Sequence, residues 1–177
     1  AYDELLLLQL GVMMKRHHRM DTTQAPKLDW NTEIKERIEA RIPFTLTNSQ
    51  QQVIEEIAGD VTSNVPMNRL LQGDVGSGKT VVALHAMLMA VTCNAQAAMM
   101  APTELLAEQH YKTISSLLKN SNVTTALLTS SLSTKERKST IQNIYDGDID
   151  IVVGTHALLT HDVEFSNIAI AITDEQH

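Results

Sequence analysis

Residues 73–80 read Gly-Asp-Val-Gly-Ser-Gly-Lys-Thr, and the fold of the chain turns on them. Gly73, Gly78, Lys79 and Thr80 fill every fixed position of the pattern G-x-x-x-x-G-K-[ST]. Each residue type has a physical reason to be there. Glycines at 73, 76 and 78 let the backbone turn sharply and bring its N–H groups against phosphate oxygens with no Cβ in the way. Asp74, Val75 and Ser77 complete the loop around the anion. A helix starting near Gly78 would point its free N–H groups and the positive end of its dipole at the same anion. Lys79 adds a cation for the β- and γ-phosphates, and Thr80 offers a hydroxyl to Mg²⁺. The alternative, a glycine-rich turn beside an unrelated lysine, fits the flanks poorly: apolar residues precede the loop and the helix-forming run VVALHAMLMA follows it.

Working outward, strand-like stretches fall at 67–72, 95–101, 123–129, 149–153 and 168–173, with helix-like stretches at 79–92, 103–119 and 133–145. Nearly all-apolar strands spaced by helices predict a parallel sheet covered by helices on both faces. Thr47-Asn48-Ser49-Gln50 has the pattern of a capping box, as does Ser133-Thr134-Lys135-Glu136. Upstream, residues 3–19 and 31–41 have helical periodicity, with a polar loop at 21–30 between them and Pro43 closing the second helix. The expected organisation is a helical segment over 1–42 and a nucleotide-binding domain over 43–177.

A phosphate loop needs a partner acid for its metal, placed at the end of a neighbouring apolar strand. Asp174 follows the run Ile168-Ala169-Ile170-Ala171-Ile172 and Thr173 and so meets that requirement. Glu175, beside it, is the expected acceptor for the proton of the attacking water. A zinc site built on Asp174 and His177 would need further ligands at suitable spacing, and none is visible. His17 and His18 read as a solvated basic turn, and His156 and His161 as polar surface residues.

Bulk properties narrow the class. The 177 residues are 43% hydrophobic and 20% charged, the profile of a globular protein that dissolves in water. No apolar run reaches the roughly 18 residues that span a bilayer. Cys93 is the sole cysteine, which rules out an internal disulfide framework and suits a reducing, cytoplasmic setting. A net charge of −7 argues against a broad basic surface for nucleic acid, and two Phe, three Tyr and one Trp are too few for a base-stacking platform. Local contacts from amides, hydroxyls and a few cations remain open.

FTLTNSQ, LLQGDVGSGKT, APTELLAEQH, LLTSSL, IVVGTHAL and ITDEQH occur in the order found in superfamily 2 helicases. The chain resembles the RecG-type ATP-dependent DNA helicases over nearly its whole length. That resemblance implies a RecA-like P-loop NTPase fold, with ATP and Mg²⁺ as cofactors and branched duplex DNA as the parent's partner. Phe44 and Gln50 match the family's adenine-recognition motif, although Gln50 also serves the capping box. Pro102, Thr103 and Glu104 match a motif lying against the nucleic-acid backbone, while Thr103 also reads as an N-cap. Ser131 and Thr155 match further DNA-side positions. Ser130 departs from the family's usual glycine, which puts close backbone approach there in doubt. Gln176 and His177 match residues that couple nucleotide state to motion.

Such motors hold ATP between two RecA-like domains, and the second supplies arginines worth about 10³–10⁵ in rate. Neither that domain nor a fork-binding wedge domain is expected within these residues, so weak ATP binding and slow turnover are expected of the chain by itself. Two other classes compete with the motor reading. One is a non-catalytic nucleotide-binding module whose apolar face at 5–12 meets a protein partner. The other is a small-molecule kinase, for which no basic lid segment is visible.

Overall fold

The computed structural model describes residues 5–7, 9–15, 24–43, 45–74 and 76–174. Helix α1 spans Thr32–Glu39 and α2 spans Asn48–Val61. Next come α3 over Lys79–Thr92, strand β1 over Gln96–Met100, α4 over Glu104–Leu117, β2 over Thr125–Leu128, α5 over Thr134–Asp146 and β3 over Ile151–Gly154. A 3-10 turn over His156–Leu159 leads to β4, Ile168–Thr173. Residues 5–7 and 9–15 are also helical, with Leu5, Leu7, Met13 and Met14 exposed.

The sheet is parallel and ordered β2-β3-β1-β4. Side chains alternate across it, so β1, β2 and β3 each feed two cores, while the edge strand β4 contributes to the larger one. Ala97, Met99, Ile151, Val153 and Ile170 face a large core filled by α2, α3 and α4. Leu128 and Val152 face the opposite way, into a smaller core with Ile144 of α5, Ile149 and the 3-10 turn's Ala157 and Leu158. Helices therefore cover both faces, as the apolar strands predict.

Helix α3 explains the depth of the first core. Its sequence is apolar on every side, and Leu84, Met87, Leu88 and Met89 are fully buried. A helix of that composition belongs in the interior, between other elements. It packs on β1 and β4 beneath it and on α1 and α2 beyond. Leu28, Ile38 and Ile42 of the preceding segment share the same core.

One expected strand is absent. Residues 67–72 form no strand among the described residues, and the sheet ends at β4. The stretch is tied down through ions instead of a ladder. Arg69 bonds Glu56 at 2.6 Å and Asp60 at 2.7 Å, both on α2, which leaves Leu70 76% exposed. Among the described residues the other boundaries coincide with the expected ones or shift by one or two residues, within the usual fraying of element ends.

Candidate nucleotide-binding site

The topology places the candidate residues on one rim. Three residues, Cys93 to Ala95, reverse the chain between α3 and β1, with Asn94 in the left-handed region at φ 55°. Helix α3 therefore runs antiparallel to the strands it covers, and its first turn lies toward their carboxyl ends. Asp174 follows β4 at that same end, where its N–H donates to Met100 O at 2.8 Å. Thr103, Ser131 and Thr155 follow the carboxyl ends of β1, β2 and β3. Open parallel sheets bind ligands beyond this edge. The strand order then sets the sequence along the rim: Ser131, Thr155, Thr103, Asp174.

The loop at 73–80 has the shape its glycines require. Gly76 and Gly78 have φ of 81° and 80°. A Cβ on Gly78 would sit 2.4 Å from Gln50 Nε2, and one on Gly73 would sit 2.7 Å from Ser77 Oγ. Helix bonding begins with Val81 and Val82 donating to Gly78 O. The N–H groups of Gly78, Lys79 and Thr80 have no acceptor among the described residues. The Lys79 ammonium donates to Gly73 O at 2.7 Å and to Asp74 O at 2.9 Å. An ammonium has three donors, so one remains for an anion.

Gln50 joins two parts of the site. Its Oε1 accepts from the Thr47 N–H at 2.9 Å, closing the capping box of α2. Its Nε2 donates to Ser77 O at 3.0 Å. In one rotamer Gln50 thus caps α2 and ties that helix to the loop at 73–80.

The donor set fits a hydrated magnesium ion, which keeps several waters and takes one or two protein oxygens beside phosphate. The Thr80 hydroxyl makes no hydrogen bond among the described residues. Asp174 gives one oxygen, Oδ2, to His110 Nε2 at 2.6 Å. The other oxygen is unbonded among the described residues. His110 closes the stretch APTELLAEQH, but nothing in that stretch marks it as the partner of Asp174, 64 residues away.

The remaining candidates divide. Thr103 is exposed and caps α4 by accepting the Leu106 N–H at 3.3 Å. Ser131 is exposed, with its hydroxyl 2.9 Å from that of Thr129. Thr155 is buried and caps the 3-10 turn by accepting from Ala157 N at 3.5 Å. Gly154 before it touches the next strand, since a Cβ there would meet Leu128 O at 2.3 Å. Phe44, Val75, Glu175, Gln176 and His177 lie outside the described residues.

A cleft of about 780 Å³ between Val12, Lys15 and residues 60–70 is lined by none of the candidate residues. Two of its charged residues, Arg69 and Asp60, bind each other. Phosphate recognition by backbone amides needs a loop and not a deep cavity, so the rim is the candidate site.

The model of the DEAD/DEAH box helicases matches residues 47–177. ATP-dependent DNA helicase RecG of Aquifex aeolicus (strain VF5) is 46% identical over 176 residues, 99% of this chain and 22% of its own length. Its counterpart in Bacillus subtilis (strain 168) is 47% identical over 177 residues, covering 26% of that protein. The chain thus spans about a quarter of these curated relatives. A solved structure of RecG bound to a three-way DNA junction aligns over 100% of this chain and 24% of its own, with a TM-score of 0.88 and 40% identity. A hypothetical ATP-dependent RNA helicase from Sulfolobus tokodaii, at 21% identity and a TM-score of 0.58, shares the fold.

Proposed function

From the premise that the chain belongs to the DEAD/DEAH box helicase family, we propose that it is the first ATP-binding motor domain of a RecG-type DNA helicase. The parent protein would use ATP hydrolysis to remodel branched duplex DNA. A second RecA-like domain and a wedge domain would complete it outside these 177 residues. The observation that supports this reading best is the loop at 73–80, whose amides at 78–80 and third Lys79 donor have no partner among the described residues, on the rim that carries Asp174.

In this reading the amides of Gly78, Lys79 and Thr80 receive phosphate oxygens without rearrangement, because α3 is anchored in the larger core. The left-handed glycines keep the loop surface free of side chains. Lys79 exchanges none of its backbone bonds and meets the anion with its third N–H. Thr80 and Asp174 would hold Mg²⁺, which when bound neutralises phosphate charge. Glu175 would take the proton of the attacking water. Phe44 and Gln50 would recognise adenine, while Gln176 and His177 would relay nucleotide state to motion. Thr103 and Ser131 present exposed hydroxyls to a DNA backbone, and Thr155 supports that surface from below. By itself the chain should bind ATP weakly and hydrolyse it slowly, since an arginine from a second domain contributes about 10³–10⁵ in such reactions.

The test is nucleotide binding by the chain, followed with a fluorescent ATP analogue in the presence of Mg²⁺. Lys79→Ala should abolish binding while circular dichroism stays that of the parent. Unchanged affinity would refute the phosphate contact.

A further inference from the structure

We propose that His110 is a positioning residue that holds the Asp174 carboxylate in the orientation its divalent ion requires. The inference rests on the reading of Asp174 as the metal acid. The bond between His110 Nε2 and Asp174 Oδ2 is 2.6 Å long, and the two side chains are only 15% and 27% exposed. An ionised carboxylate only accepts, so the ring nitrogen carries the hydrogen and donates. Asp174's backbone is fixed by its bond to Met100 O. Without His110 its side chain would keep two free torsions. With it, one oxygen is pinned and the other has no partner among the described residues. Groups that orient a metal's carboxylate in this way typically contribute about 10–100-fold in metal affinity.

The ring is held as firmly as the acid. His110 lies on α4, between Ala107 and Ile114, both fully buried against the sheet. Helix α4 packs on β2 and β3, whereas Asp174 extends β4 on the far side of β1. The bond therefore reaches across the sheet order. It also ties the acid to a helix whose exposed N-cap is Thr103. At 1.5 Å per residue that cap is on the order of 10 Å from the ring.

The experiment titrates Mg²⁺ against binding of a fluorescent ATP analogue by the chain, in wild type, His110→Ala, His110→Gln and Asp174→Asn. Affinity in EDTA should be the same in wild type and the two His110 variants, since Lys79, Asp174 and the loop amides are untouched. His110→Ala should raise the Mg²⁺ midpoint about tenfold, and His110→Gln, which keeps an N–H at similar reach, should restore it. An unchanged midpoint in His110→Ala alongside a lost Mg²⁺ effect in Asp174→Asn overturns the role of His110 and leaves the metal acid standing. Loss of neither overturns the reading of Asp174 itself. Should His110→Ala fail to fold, His110→Phe takes its place: glutamine must keep the wild-type midpoint and phenylalanine must not.

Discussion

His85 is the one residue of α3 whose chemistry conflicts with its surroundings. It is 1% exposed, its Nδ1 bonds Val81 O at 3.0 Å, and its Nε2 has no partner. Burial pushes its pKa below the ordinary 6.5, partly offset by the bond to Val81. The folded state thus favours the neutral ring. Its contribution is fully present above pH 6.5 and is lost as pH falls below that value, where the unfolded chain takes a proton the folded chain refuses. Melts across pH 7.5 to about 5 should show stability declining on the acid side. His85→Leu should flatten that decline, and an identical acid slope in the variant would show that other groups set it. Glycines 73, 76 and 78 were legible in the sequence because the loop demands them locally. His85 was not, since VVALHAMLMA shows only that α3 is apolar and leaves open what meets the ring. His110 was hidden for a related reason: its motif was legible, but its partner stands on another element.

Among the elements, α2 couples folding to ligand binding most directly. Thr47 accepts the Gln50 N–H at 3.3 Å and Gln50 returns the bond, so the start of α2 is closed from both sides. Thr47→Ala should cost about 1 kcal/mol, read as a fall in denaturation midpoint. Gln50→Ala should cost a similar amount and also weaken nucleotide binding, because it releases Ser77 O in the loop. Equal nucleotide affinity in the two variants would argue against the link. Both capping boxes, the all-apolar α3 and the four paired strands were legible, since each follows from local pattern. Residues 67–72 misled for a reason of scale. Met67, Leu70 and Leu71 look like strand, but a strand exists only with a neighbour to pair with, and Arg69 found Glu56 and Asp60 on α2 first.

At the scale of the molecule, the parallel order β2-β3-β1-β4 puts nucleotide and DNA candidates side by side on one edge. Connectivity alone suggested that all four strands end at the same rim. Their spatial order, which sets Asp174 next to Thr103 and not next to Ser131, required the structure. The division of the interior into two cores has a kinetic consequence. Helix α5 is mostly polar and commits only Ile144 fully to the smaller core, whereas α3 buries an unbroken run from Leu84 to Ala90. Local openings draw on the least buried regions. Amide protons of α5 and of the 3-10 turn should therefore exchange with deuterium well before those of α3, and simultaneous exchange would show a single cooperative unit. If the two rates separate, the margin around Ser131 can breathe while the glycine loop ahead of α3 stays shut.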